Sequence, residues 1–258
     1  MRNEETNPEQ TDPAVFSEID ENIKNIRASV AELQNASPFH QNVTLMAVTK
    51  TFDVQRINYA IDTCGIRCIG ENRVQELCDK YPYLHLDGVS VHLIGSLQSN
   101  KVKYIIDKVD MIHSLDSLSL AREINRQAQK HGKTMDCLIE INIGREESKG
   151  GIAPDEDTIL AFYDDVREYP SVRVRGLMTI APNTADHEAY MRYFSETKRL
   201  FDMLCEKRLS KAAVNENGET FSPVLSMGMS GSYREAILCG SDIVRIGSGI
   251  FGKRNYTV

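Results

Sequence analysis

An excess of basic residues is missing from this chain. Its 30 Lys and Arg stand against 37 Asp and Glu, a net charge of -7 with a pI near 5.5. That balance argues against a general affinity for nucleic acid, while leaving room for a local basic pocket around a phosphate. No apolar run approaches the ~20 residues that cross a bilayer, so no membrane partner is expected. The polar, acidic N-terminus lacks the basic and apolar segments of a signal peptide. Metal-type cysteine spacing is missing too. Cys64 and Cys68 are four apart and the others are scattered, mostly in apolar runs, as reduced buried thiols are. A reducing, cytoplasmic compartment and no metal site are the expectation. Low-complexity sequence is absent beyond the first ten or so residues, and 1–12 are expected to be disordered. No shift in composition marks a second domain, so 13–258 is expected to form one.

What is present is organised around Leu45-Met46-Ala47-Val48-Thr49-Lys50. The apolar run is too short for a buried helix and reads as a strand covered on both faces. Asp53 follows as the N-cap of a helix carrying Val54, Ile57 and Ile61. Lys50 therefore lies where a strand stops and a helix is about to start. In a barrel of alternating strands and helices that end faces the active site. An amine partly desolvated there loses its proton more readily and can condense with a carbonyl. The plain alternative is a surface lysine after a strand.

Asp12-Pro13 opens a long amphipathic helix through Phe16, Ile19, Ile23, Ile26, Val30 and Leu33, which must pack on the outside or bottom of the domain. Further strands are expected at 66–70, 89–96, 111–114, 137–143, 172–180, 224–229 and 243–246. The helices between them include one capped by Ser99, with Val102, Ile105 and Ile106, and one capped by Asp116 or Ser117 and stopped by Gly132. Glu206 to Ser222 reads as a polar surface loop. Eight strands alternating with helices point to an α/β fold, a single (β/α)8 TIM barrel with an extra N-terminal helix. A doubly wound open sheet is the alternative.

Strand ends then nominate one rim: Lys50, Glu71-Asn72, Ser96, Ser114, Gly144, Met178-Thr179, Ser230 and the run Arg245 to Gly249. Ser230-Gly231-Ser232 and Gly247-Ser248-Gly249 follow strands seven and eight, where barrels often bind phosphate through backbone N–H groups. Turns need serine and glycine in any case. Arg245, inside the last strand, requires a partner: a structural carboxylate such as Glu140 or Glu71, or a bound ring or phosphate. Asn72 either caps the next helix or meets a ligand edge. Lys149 reads as a solvated rim lysine or a guard of the site, and His113 as a satisfied core histidine. Met178, Met227 and Met229 read as packing, with Met178 also placed to lie against a flat ligand.

The chain resembles the pyridoxal phosphate homeostasis proteins, the YggS or PROSC family. The likeness is carried by Ala47-Val48-Thr49-Lys50, by Gly70 through Glu76, by His92 through Lys101, and by Gly176-Leu177-Met178. It continues in Leu225 through Ser230 and Val244 through Gly252. It spans about Val43 to Tyr256. The resemblance implies pyridoxal 5'-phosphate as cofactor, held by Lys50 as an internal aldimine. It implies Asn72 near the cofactor, Ser230, Gly247 and Ser248 around the phosphate, and Arg245 facing the pyridine nitrogen. An arginine there keeps that nitrogen unprotonated and the ring a poor electron sink, which suits carrying the cofactor more than exploiting it. The family commonly has histidine where this chain has Ser96, and an acidic residue near Gly231.

The resemblance implies storage, delivery or protection of the aldehyde. Pyridoxal phosphate, other B6 vitamers and apoenzymes that use the cofactor are the implied partners, and the chain is expected to be a monomer or weak dimer. A racemase-like enzyme of weak activity is the alternative. Racemisation needs acid and base groups on both faces of the substrate. Similar racemases take one from a second, β-rich domain, and this chain stops at Val258. A Schiff-base aldolase acting on a sugar phosphate is a third reading.

Overall fold

Eight short strands pair in chain order and close on themselves: β1 (Thr44–Val48), β2 (Cys68–Glu71), β3 (Ser90–Leu93), β4 (Met111–Leu115), β5 (Met135–Ile141), β6 (Val172–Thr179), β7 (Val224–Met229) and β8 (Ile243–Ile246). The computed structural model describes residues 13–39, 41–209 and 221–252. Every pairing is parallel, and β1 meets β8 with Thr44 opposite Ile243 and Ala47 opposite Ile246. Closure rules out the open sheet and leaves no edge strand. The expected disorder of 1–12, and Asp12 as a cap, lie outside the described residues.

Period-two alternation sorts each strand into two cores. Residues such as Ala47, Ile69, Ile112, Ile139 and Leu177 point outward and join the large apolar layer beneath the helices. Met46, Val48, Cys68, Ile94 and Ile243 fill one side of the barrel interior, and Met111, Leu138 and Met178 the other. Gly176 has φ +150°, and a Cβ there would stand 2.0 Å from Val224 O, so only glycine lets β6 run beside β7.

The helices are α1 (Pro13–Ala36), α2 (Val54–Asp62), α3 (Val74–Lys80), α4 (Leu118–Lys130), α5 (Glu156–Val166) and α6 (His187–Leu204), with short helical segments elsewhere. Asp53 caps α2 as expected, accepting from Arg56 N at 2.9 Å, and Ser117 caps α4. The apolar stripe of α1 packs on the outside of the barrel, against Tyr233–Leu238 and Ser248–Phe251; Asn22 Nδ2 donates to Ile250 O at 3.0 Å. Two expectations are corrected. Ser99 does not cap an α-helix; Ser99–Tyr104 is a 3-10 segment after Gln98. Val102, Ile105 and Ile106 are all fully buried, so the apolar spacing read from sequence is used for packing even though the backbone takes the tighter 3-10 turn. The loop expected from Glu206 begins instead as helix, since Cys205–Leu209 continues α6 as a π turn anchored by fully buried Leu209. Residues 210–220 of that stretch lie outside the described residues.

Candidate functional site at the barrel mouth

Extending the inward-facing series one step past each strand end gives the site. Met46 and Val48 lead to Lys50, Gly70 to Asn72, His92 to Ile94, Met178 to Ile180, and Ile243 and Arg245 to Gly247. Lys50, Asn72, Ile180, Ser230, Arg245, Gly247 and Ser248 line one cavity of about 190 Å³, together with Val48, Ile94, Met229 and Gly231. That is below the roughly 300–1,000 Å³ of clefts that take drug-sized ligands, and suits a single substituted ring. Two cations, Lys50 and Arg245, line it, and among the described lining residues there is no carboxylate. The cavity therefore favours an anion.

Lys50 is half-buried in the turn after β1, and both its neighbours are braced. Lys80 Nζ, on α3, donates to Thr49 O at 2.9 Å and to Glu71 Oε1 at 2.9 Å. Thr49 Oγ1 donates to the same Glu71 oxygen at 2.8 Å. On the other side Thr51 N donates to Glu76 Oε1, which also holds Lys80 at 2.6 Å. Thr51 has φ +68°, a left-handed conformation rare for a β-branched residue, which costs about 1–3 kcal/mol. The Lys80–Glu76 pair holds that turn and so aims Lys50. Sequence reading missed this clamp: an i,i+4 Glu–Lys pair is an ordinary helix feature.

Arg245 is fully buried. Its Nη1 donates to Ser226 Oγ at 2.7 Å and its Nη2 to Thr179 O at 2.8 Å. Among the described residues neither carboxylate named as its possible partner forms an ion pair with it. Glu71 points outward to Lys80, and Glu140 acts only through its field. Burial lowers the Arg245 pKa to about 10 against the pull of Glu140. Asn72 does not cap α3; the cap position is Arg73, with no side-chain bond, and Asn72 Oδ1 is buried without a partner. A buried amide oxygen left open beside a cavity fits a ligand donor. Ser230 Oγ accepts from Gly249 N at 3.3 Å, tying the two small-residue turns together, and a Cβ on Gly231 would meet nothing within 4 Å. The Gly231 turn therefore leaves room for an anion to approach the backbone, while at Gly247 the chain passes close to Val48, where a Cβ would stand 3.2 Å from Val48 O.

Gly95 fixes where Asn72 lies. A Cβ at Gly95 would stand 2.2 Å from Asn72 O and 2.8 Å from its Cα. Gly95→Ala is expected to lower unfolding stability by about 1–3 kcal/mol. Because the clash displaces Asn72, ligand affinity measured on the folded fraction should fall as well. Denaturant titration with and without ligand reads both.

Not every nominated residue arrives. Met178 is fully buried one inward position below Ile180, packed with Met111 and Leu138, and is not part of the cavity lining. Ser96 is exposed and outside it. His113 is fully buried, with Nε2 2.9 Å from His92 Nδ1 and its own Nδ1 unpartnered. Burial first, then His92 and Arg245, hold its pKa well below the usual imidazole range. Lys149 is on the rim loop, exposed and outside this cavity. Ile94 and Met229 supply apolar walls that were not nominated as site residues. Ile94 continues the inward series of β3, whereas Met229 has the outward parity of Leu225 and Met227 and reaches the cavity past the register shift between Ser226 and Met229.

A closed parallel (β/α)8 barrel with an amine, a buried guanidinium and two small-residue turns at its C-terminal mouth belongs to the alanine racemase N-terminal domain class. That family matches residues 21–255. Among curated relatives, a pyridoxal phosphate homeostasis protein of Aquifex aeolicus is 44% identical over 193 residues, 75% of this chain and 79% of that one. Another, from Pasteurella multocida, is 36% identical over 242 residues, 93% and 99% of the two chains. A solved structure of PipY from Synechococcus elongatus, with PLP bound, superposes with a TM-score of 0.74 at 28% identity, covering 91% of this chain and all of that one. An alanine racemase of Clostridium difficile shares the fold, with a TM-score of 0.62 at 15% identity; this chain spans 58% of it. The chain belongs to the pyridoxal phosphate homeostasis protein family.

Proposed function

We propose that this chain binds pyridoxal 5'-phosphate at the barrel mouth and serves its intracellular homeostasis by storing, delivering or shielding the free aldehyde. The carrying observation is the cavity itself, with Lys50 and Arg245 beside two small-residue turns and no carboxylate among the described lining residues. The residues present fit the cofactor. Lys50 would hold its aldehyde covalently, and Ser230, Gly231, Gly247 and Ser248 its phosphate. Arg245 would face the ring nitrogen, and the open Asn72 Oδ1 would meet a donor on its edge. Bound there, the cofactor supplies an electrophilic carbon and a ring that delocalises charge. The protein's part is to hold and orient. The clamp on Thr49 and Thr51 fixes Lys50, Ile94 and Val48 keep one face dry, and the cationic lining offsets the phosphate. Met178 would act one layer down, as packing beneath the site.

The family's curated names and the ligand in the PipY structure support this reading. An aldehyde-dependent lysine favours pyridoxal forms over other B6 vitamers. Delivery to apoenzymes that use the cofactor is part of the proposal, as is a monomer or weak dimer. Among the described residues the exposed large apolar side chains are Phe39, Tyr83, Tyr104, Ile180 and Met229, and the last two belong to the mouth. A cytoplasmic location is supported by six free cysteines and by the lack, among the described residues, of any helix long and apolar enough to cross a membrane.

Reconstitution tests it. The protein mixed with pyridoxal phosphate should gain a near-visible absorbance band that borohydride bleaches, and the fixed label should map to the peptide bearing Lys50. No band, with turnover of sugar phosphates, would instead favour an aldolase. Sustained loss of optical activity from an L-amino acid would favour a racemase.

A further inference from the structure

The cavity around Lys50 and Arg245 shares Ile180 and Met229 with a second, larger chamber of about 460 Å³. Glu140, the last inward residue of β5, lines that chamber. Its rim is the loop after β5, folded back by Asn142: Nδ2 donates to Glu146 O at 2.8 Å and Oδ1 accepts from Glu146 N at 3.2 Å. Lys149 stands exposed on this rim. No carboxylate pairs with it among the described residues.

Glu140 is mostly buried, yet among the described residues its carboxyl makes no hydrogen bond and no ion pair. The charged groups acting on it are Asp116 after β4 and Arg245 on β8, and Glu146 and Lys149 of the rim loop line the same chamber. Burial, then the charge of Asp116, push its pKa up to about 7, and Arg245 restrains the rise. A carboxyl without a partner in such a place costs stability; among the described residues it forms no hydrogen bond or ion pair with any that would hold the cofactor and reaches Arg245 only through its field. One that titrates near neutrality is suited to trading a proton with a bound ligand. The chamber thus offers a proton acceptor at depth and a cation at its mouth. That is the complement of an amino-acid zwitterion, in a chamber that shares Ile180 and Met229 with the cavity of Lys50.

We propose that this chamber is a subsite for free α-amino acids, in which Glu140 receives the ammonium group and Lys149 the carboxylate, and that its occupancy drives exchange of the cofactor's aldehyde carbon from Lys50 to the amino acid. The proposal rests on the cofactor reading above. In the exchange the incoming ammonium gives a proton to Glu140, and its nitrogen forms a C–N bond to the aldehyde carbon. The C–N bond to Lys50 breaks, and the departing lysine nitrogen takes up a proton. No oxidant, reductant or further reactant is needed. Stored cofactor is then released in proportion to free amino acid.

The test uses the full chain loaded with pyridoxal phosphate and freed of excess, with glycine and ethylamine as probes. Cofactor still fixable by borohydride is followed over time across about pH 6 to 8. Glycine should speed its loss saturably, by about tenfold or more. Glu140→Gln should load, lose the acceleration and lose its pH dependence. Lys149→Gln should raise half-saturating glycine about fivefold and leave that for ethylamine unchanged. In the cofactor-free protein, glycine should shift the Glu140 carboxyl carbon resonance saturably, a signal missing from Glu140→Gln. A loaded Glu140→Gln that releases as fast as the parent under glycine overturns the subsite, as does an unmoved resonance; the cofactor reading then stands. A Glu140→Gln that does not load also overturns it, by making Glu140 part of the cofactor pocket. A parent protein that takes up no pyridoxal phosphate overturns both.

Discussion

Lys50→Ala should take up pyridoxal phosphate about 100-fold more weakly than the parent, a loss of roughly 3 kcal/mol, and should yield no borohydride-fixed label. The variant loses the proposed covalent anchor and one of the two cations in the lining, but keeps Arg245 and both small-residue turns. Residual binding is therefore expected to be reversible and more salt-sensitive. The fold should not suffer. Lys50 is half-buried, and the backbone on either side of it is braced at Thr49 by Lys80 and at Thr51 by Glu76, residues the substitution leaves in place. Unfolding midpoints of the two proteins without cofactor should agree within about 1 kcal/mol. Equilibrium dialysis, mass spectrometry after borohydride and thermal unfolding check the three parts. A fixed label in Lys50→Ala would show that another amine holds the aldehyde, and the site as described would be wrong.

The clamp predicts a graded version of the same effect. Lys80→Ala leaves the amine in place but frees Thr49 O and leaves Glu71 buried without its cation. Burial already raises the Glu71 pKa, and Lys80 is the chief influence lowering it. The pKa of the carboxyl should then rise further, and the turn should loosen.

The barrel was legible because two periods coexist in the chain. Short apolar runs ending in polar residues alternate with helices whose apolar spacing is three or four. Lys50 was legible for the same reason: it is the first charged residue after a buried strand. Depth was not legible. Met178 and Ile180 are both inward residues near the end of β6, and which one reaches the cavity depends on the stagger of neighbouring strands. Sequence carries no direct mark of that stagger, so Met178 was placed one layer too high. The partner of Arg245 was illegible in another way. Two carboxylates looked suitable, but Glu71 faces the helices and Glu140 stands in a separate chamber, so the guanidinium is held by a serine hydroxyl and a carbonyl instead. Asn72 is the reverse case. Capping was the ordinary role for its position, and only the open Oδ1 separates the two readings.

Arg245→Met should separate what this residue does for the ligand from what it does for the fold. A guanidinium whose pKa is drawn from 12.5 to about 10 by burial carries a charge penalty of about 3 kcal/mol. Methionine removes that penalty but leaves Ser226 Oγ and Thr179 O without their donor, at about 1–3 kcal/mol each. The two effects offset each other in large part, so unfolding stability without cofactor should fall by no more than about 3 kcal/mol. Affinity for pyridoxal phosphate should instead fall about 100-fold, since the one permanent buried cation at the site is gone. The Glu140 carboxyl supplies an internal check. Arg245 is the influence that lowers its pKa, so in the variant Glu140 should titrate above about 7. A drop in stability beyond about 4 kcal/mol with affinity preserved would make Arg245 a structural cation. Stable protein with poor affinity and a raised Glu140 titration would tie the guanidinium to the ligand and to the neighbouring chamber at once.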